Sequence, residues 1–292
     1  MTLHERLAAA REHLVRAGIQ PAEAAVDVDL YARTILKWDR ARLLTSLGTP
    51  APESLDPQFS EWIARRAQGE PSAYIVGTRE FWGLEFRVTP SVLIPRPETE
   101  FIVEEALKLL QGPGISGQGP AERGGGYRVA DIGTGSGCIV VALAHERADC
   151  TFVATDVSGD ALAVARQNAA RHGVAGRIHF VQTSYLDAIG GGFDLIAANP
   201  PYVRDGDKAA LARDVRHEPD VALFGGQTGL RDIEGVLDAA IARLRPGGWF
   251  IMEFGFGQED DVRARVASRP FRLDHVRADL QGLPRTAIIQ RS

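Results

Sequence analysis

The stretch from Val129 to Gly137 (VADIGTGSG) constrains this chain more than any other. An apolar run enters a turn with glycine at every second position and passes directly into a second apolar run, CIVVALA. That order reads as strand, tight turn and helix. Gly133, Gly135 and Gly137 let the backbone reverse sharply and leave room for a ligand beside it. The pattern downstream alternates. Strands are expected at Arg128 to Ile132, Thr151 to Thr155, Ile178 to Gln182, Asp194 to Ala198 and Trp249 to Phe254. Helices are expected at Gly137 to Glu146, Gly159 to Arg171 and Leu230 to Leu244. Such alternation implies an α/β fold whose mostly parallel sheet is covered on both faces. Phe271 to Arg277 and Thr286 to Gln290 flank a turn bearing glycine and proline, so an antiparallel hairpin should complete seven strands.

The first 73 residues have a different texture. Leu3, Leu7, Leu14 and Val15 fall near one face of a helix that ends at Gly18, and Pro21 opens a second with Ala25, Val28, Leu30 and Tyr31. A third runs from Asp56 towards Gly69 and carries Phe59, Trp62 and Ile63, giving a small helical bundle. From Tyr74 to Leu93, aromatic and β-branched residues broken by Gly77 and Gly83 predict a β-hairpin. Thr99 is placed to cap the helical run FIVEEALKLL, and 111–127, rich in glycine and proline, should form a loop. The expected organisation is a helical domain over 1–73, a hairpin linker over 74–95 and an α/β domain over 96–292.

Charge narrows the partners. Lys and Arg number 33 against 38 Asp and Glu, a formal charge of −5, which opposes a protein gripping nucleic acid through a broad basic surface. The two cysteines, Cys138 and Cys150, have no zinc-site spacing, and no metal is expected. The N-terminal run is charged and helix-prone rather than a signal peptide, and no stretch is long and apolar enough to span a membrane. The expectation is a cytoplasmic monomer.

In a dinucleotide template, Gly-x-Gly-x-x-Gly, the third glycine position would hold Cys138. The spacing here instead resembles the S-adenosylmethionine loop of class I methyltransferases, made by Gly133, Thr134, Gly135, Ser136 and Gly137. Asp156 ends the second strand, where a carboxylate can accept hydrogen bonds from both hydroxyls of a ribose. Asp156 or Ser158 would also serve as a helix cap. Tyr185 follows the third strand, placed either to pack on an adenine or to fill core.

The fourth strand runs into Asn199-Pro200-Pro201-Tyr202. Two prolines fix the backbone and remove two donors, leaving carbonyls free to face a cleft. A planar amide or nucleobase nitrogen has a delocalised lone pair and is a poor nucleophile. The Asn199 side-chain oxygen and the Pro200 carbonyl can accept its two hydrogens, and can stabilise the positive charge that grows as the nitrogen is alkylated. Tyr202 offers a flat face for the planar group. In isolation, the motif is equally a rigid turn after a strand.

These blocks together resemble the bacterial peptide chain release factor glutamine methyltransferase family over nearly the full length. The matching segments are Glu70-Pro71, GTREFW at 77–82, IPRPETE at 94–100, DIGTGSG, NPPY, DVRHEP at 214–219 and GGWFIMEFG. The resemblance implies a class I, Rossmann-like catalytic domain that uses S-adenosylmethionine and releases S-adenosylhomocysteine. It also implies an N-terminal domain that helps hold a class 1 release factor, and a target glutamine within that factor's Gly-Gly-Gln. Cofactor contacts carry over onto Gly133 to Gly137, Asp156 and Asn199, with Tyr185 at an aromatic position. Substrate contacts carry over onto Asn199 to Tyr202. Phe81 and Arg96 are motif positions without an assigned role. The chain also contains its own Gly225-Gly226-Gln227, which reads as an ordinary turn. Two other readings compete: a nucleic-acid methyltransferase acting on adenine or guanine, which needs a basic recognition region, and a non-catalytic adenosine-binding module, which leaves NPPY unexplained.

Overall fold

The computed structural model describes residues 1–111 and 126–292, so most of the expected 111–127 loop lies outside the described residues. The chain forms two compact units, Met1–Thr78 with Leu211–His217, and Arg79–Ala210 with Glu218–Ser292.

The first unit is helical: α1 (Leu3–Arg16), α2 (Pro21–Leu36), α3 (Arg40–Thr45), α4 (Gln58–Ala67) and α5 (Ser72–Val76). Thr2 and Glu5 form a reciprocal capping box that starts α1, and Pro21 supplies the preset φ that starts α2. Leu3, Leu7, Ala10 and Leu14 line the buried face of α1, whereas Val15 is 40% exposed, one step round the helix from that stripe. On α2 the buried face is Ala24, Asp27, Val28, Tyr31 and Ala32; Ala25 and Leu30 are only half-buried. Arg66, buried on α4, pairs with Asp27 at 2.7 Å, and Asp27 also accepts from Ser72 at 2.5 Å. These bonds satisfy charges that would otherwise be costly to bury.

Tyr74 to Val76 belong to α5 and not to a hairpin. Pro71 precedes that helix, and Gly77, at φ +85°, ends it with an N–H bond to the Ala73 carbonyl. The β-branched residues suggested extended chain, but capping and burial of Tyr74 and Ile75 decide otherwise. The hairpin is correspondingly short: β1 (Thr78–Phe81) and β2 (Leu84–Arg87).

The second unit continues with α6 (Glu100–Gln111), β3 (Arg128–Ile132), α7 (Cys138–Glu146), β4 (Thr151–Asp156), α8 (Gly159–Arg171), β5 (Ile178–Gln182), β6 (Phe193–Ala198), α9 (Asp220–Leu223), α10 (Arg231–Arg243), β7 (Leu244–Glu253), α11 (Glu259–Ala267), β8 (Phe271–Ala278) and β9 (Pro284–Arg291). Seven strands order as β5-β4-β3-β6-β7-β9-β8. β5 to β7 run parallel; β9 pairs antiparallel with β7, and β8 antiparallel with β9. Two apolar clusters cover the faces. One gathers α6, α7 and Phe152 around Val129, Leu195 and Ile251, and the other gathers α10 and α11 around Ala130, Ile196 and Phe250. Neighbouring strand residues thus face opposite layers, the two-residue period of a sheet buried on both sides. Among the described residues no helix is long and apolar enough to cross a membrane.

Candidate active site

The strand order reverses between β3 and β6, and crevices in such sheets open at the carboxyl ends of the strands where that happens. Ile132 is in register with Ala198, so the glycine turn and the Asn-Pro-Pro segment leave the sheet side by side. Ile132 is also in register with Thr155 on β4, which brings Asp156 to the same edge. A cleft, partly open to solvent, lies there. It is lined by Gly133 to Ser136, Asp156, Tyr185 and Asn199 to Pro201 among others.

The turn needs its glycines. Gly133, Gly135 and Gly137 stand at φ +70°, +53° and +81°, which side-chain-bearing residues rarely adopt. At Gly137 a Cβ would also meet the Ala165 Cβ at 3.1 Å, so the missing side chain lets α7 approach α8. The Gly133 and Thr134 amides donate to the Thr155 carbonyl at 2.9 Å, and the Gly135 amide donates to Asp156 Oδ2 at 2.9 Å. Asp156 Oδ1 accepts from the Ser158 amide at 2.9 Å. The cap of α8 is Ser158, whose hydroxyl accepts from the Ala161 amide at 3.1 Å. Asp156 is therefore free of capping α8. Its oxygens keep lone pairs beyond these backbone amides, as acceptance from a diol would require. Burial raises the Asp156 pKa, against the backbone amides that lower it.

Thr134 and Ser136 present little of their side chains. Both are buried, and the Thr134 hydroxyl donates to Asp131 Oδ2 at 2.6 Å. Burial pushes the Asp131 carboxyl up to about 7. Tyr185 lies beyond β5, which ends at Gln182, in a left-handed conformation at φ +44°. Its hydroxyl donates to Asp232 Oδ1 at 2.9 Å, holding the ring at the wall of the cleft.

Sequence reasoning did not reach the polar network behind the Asn-Pro-Pro segment. Asn199 Nδ2 donates to Thr99 Oγ1 at 3.1 Å, and Thr99 Oγ1 donates to Glu253 Oε2 at 2.7 Å. The Tyr202 hydroxyl donates to Glu253 Oε1 at 3.2 Å. Thr99 sits in a 3-10 turn (Pro97–Thr99) with its hydroxyl committed to these partners, so it does not cap α6 as expected. Burial raises the pKa of Glu253 and also that of Tyr202. The only sequence signal for this network was that Thr99 and Glu253 fall within the IPRPETE and GGWFIMEFG blocks.

Three other motif positions acquire places. Arg96 lines the cleft and pairs with buried Glu218, whose other oxygen accepts from the Ile94 amide at 2.9 Å; this joins the IPRPETE and DVRHEP blocks. Phe81 is core, edge-on to Phe86 at 6.0 Å, and is not among the residues lining the cleft. Gly225 and Gly226 form a structural turn. The Gly225 amide donates to the Val203 carbonyl at 2.9 Å, and a Cβ at Gly225 would come within 2.5 Å of the Pro201 carbonyl oxygen.

The seven-stranded order with its glycine turn, strand-end carboxylate and Asn-Pro-Pro-Tyr segment defines a class I methyltransferase. A methyltransferase from Pyrococcus furiosus shares the fold with a TM-score of 0.52 at 19% identity, over 72% of this chain and 90% of that one. Residues 121–223 match the Methyltransferase small domain, and residues 5–77 match the PrmC N-terminal domain. The release factor glutamine methyltransferase of Nitratidesulfovibrio vulgaris is 46% identical over 239 residues, 80% of this chain and 77% of the relative. That of Koribacter versatilis is 37% identical over 99% of this chain and 98% of its own. The chain belongs to the release factor glutamine methyltransferase family.

Proposed function

We propose that this enzyme methylates the side-chain amide nitrogen of the glutamine in the Gly-Gly-Gln motif of class 1 peptide chain release factors. The cosubstrate is S-adenosylmethionine, and the product is S-adenosylhomocysteine. One observation carries the reading: Asn199 and Pro200 enter the same cleft edge as the glycine turn and Asp156.

The residues present fit that cosubstrate. Gly133 and Gly135 leave backbone room, and Asp156 retains acceptor capacity for a ribose diol. Tyr185 offers a ring at the cleft wall to an adenine. When bound, S-adenosylmethionine supplies a methyl group on a cationic sulfur. The Asn199 amide nitrogen is held by Thr99, which leaves Oδ1 as its acceptor. Asn199 Oδ1 and the Pro200 carbonyl then accept the two N–H bonds of the substrate amide and fix its nitrogen in line for attack. As the new N–C bond draws electron density from that nitrogen, the same two oxygens stabilise the charge that develops. The nitrogen becomes acidic only then, so its proton passes to solvent and no strong base is needed. Pro201 and Tyr202 complete the substrate ledge.

Residues 1–73 act as the substrate-docking domain and 96–292 as the catalytic domain, and the segment between them holds the end of α5 and the short β1–β2 hairpin. The family match over 5–77 supports the first assignment. The enzyme works in the cytoplasm as a monomer, and nucleic acid is not its substrate; the formal charge of −5 supports the last statement.

The test is transfer of labelled methyl to purified release factor, to the same factor with Gln→Ala in its Gly-Gly-Gln, and to DNA and RNA. Label on the intact factor alone is expected. Label on nucleic acid, or equal label on the substituted factor, would overturn the assignment.

A further inference from the structure

An asparagine side chain can present either its oxygen or its NH2 group to a cleft, and its hydrogen-bond partners decide which. At position 199 the choice matters, because a substrate amide brings N–H donors and needs acceptors. Two donors facing each other would lose the contact altogether.

The partners of Asn199 form a chain with a direction. Glu253, the last residue of β7, is 2% exposed, and although burial raises its pKa, a carboxyl proton would sit on one oxygen and leave the other a pure acceptor. It takes the Thr99 hydroxyl proton at Oε2 (2.7 Å) and the Tyr202 hydroxyl proton at Oε1 (3.2 Å). A threonine hydroxyl has one proton. With that proton directed at Glu253, Thr99 has only lone pairs left for Asn199, and so it must receive the Asn199 NH2 group, at 3.1 Å. The Asn199 oxygen is then the end left for the cleft. Thr99 is itself 2% exposed, so water does not compete for its hydroxyl. Without an obligate acceptor at 253, the Thr99 hydroxyl could turn and donate to Asn199 Oδ1, and the amide would flip.

We propose that Glu253, acting through Thr99, is a positioning residue that fixes the orientation of the Asn199 amide and so keeps an acceptor facing the substrate nitrogen. The inference rests on the function proposed above. It concerns a residue that touches neither substrate nor cosubstrate, and it predicts an effect on turnover rather than on binding.

Three variants of the full chain test it: Thr99→Val, which keeps the shape and removes the hydroxyl, Thr99→Ser, which restores the hydroxyl, and Glu253→Gln, which can donate as well as accept. Methyl transfer to release factor gives kcat and KM, calorimetry gives S-adenosylmethionine affinity, and melting confirms folding. For Thr99→Val, kcat should fall about tenfold or more while S-adenosylmethionine affinity stays within about twofold, as loss of one aligned acceptor implies. Thr99→Ser should recover most of that loss, and Glu253→Gln should fall between the two. Slowed solvent exchange of the Asn199 side-chain amide protons, read by NMR without any turnover, should be present in wild type and Thr99→Ser and lost in Thr99→Val. Unchanged kcat in Thr99→Val, or a Thr99→Ser as impaired as Thr99→Val, would overturn the relay and leave Thr99 a packing residue. If wild type showed no transfer, the functional reading would fall. The amide-exchange pattern would then still decide whether the Asn199 orientation is held in this way.

Discussion

The ring of Tyr185 occupies the space that a side chain at Gly235 would need: a Cβ there would overlap the ring carbons and the phenolic oxygen. One face of α10 is thus left bare so that an aromatic residue from the turn after β5 can stand at the cleft wall, tied to Asp232 on the same helix.

Gly235→Ala should therefore act on the cleft more than on the fold. Alanine gains about 1 kcal/mol of helix propensity over glycine, which offsets much of the loss from displacing the ring. Calorimetry should show S-adenosylmethionine binding weakened by about tenfold, with a melting temperature within a few degrees of wild type. An unchanged affinity would remove Tyr185 from the adenosine subsite.

Asp156 separates two effects that a truncation would mix. Asp156→Ala strands the Gly135 and Ser158 amides as well as removing the carboxylate, so it should lower both affinity and melting temperature. Asp156→Asn keeps the shape and one acceptor oxygen. Its S-adenosylmethionine affinity should drop about 10- to 100-fold, the value of hydrogen bonds to a charged group, with a smaller change in melting. Binding at wild-type strength in Asp156→Asn would return this residue to a purely structural part.

Asn199→Ala removes the proposed substrate-facing acceptor together with one hydrogen bond to Thr99. Turnover should fall by about 100-fold or more, while S-adenosylmethionine affinity changes little. Single-turnover kinetics at saturating release factor give the comparison. A variant that turns over normally would mean that the Pro200 carbonyl aligns the nitrogen by itself.

Asp131 carries a pH signature. Its carboxyl is pushed from the ordinary 3.8 up to about 7 by burial, so the folded chain binds a proton more readily than the unfolded one. The stability this contributes is fully present below about pH 4 and is lost as the pH rises to about 7. Asparagine does not titrate. The stability advantage of wild type over Asp131→Asn should therefore shrink between about pH 4 and 7 and level off above, in denaturant unfolding across that range. A difference independent of pH would show that Asp131 stays ionised in the fold.

The sequence by itself determined whatever is written within a few residues. Glycines at 133, 135 and 137 dictate a left-handed turn, because few other residues accept those φ values. Alternating apolar runs gave the strands closely; β3, β5 and α8 begin and end where the pattern predicted. The NPPY segment holds two missing backbone donors and one amide side chain within four residues, the local basis of the chemistry proposed for it. The family resemblance, resting on short blocks, also proved sound. What failed locally were positions where capping and burial outweigh residue preference, as at α5, Val15 and Thr99.

Only the tertiary structure decided what meets across the sheet. Strand order at the switch point places Gly133 beside Asn199. Thr99 is 100 residues from Asn199 and 154 from Glu253, and no local periodicity encodes those meetings. A buried hydroxyl or carboxylate must find a partner, but its sequence neighbours do not say which one. The packed layers make that choice, because only they fix which buried polar groups lie within hydrogen-bonding distance.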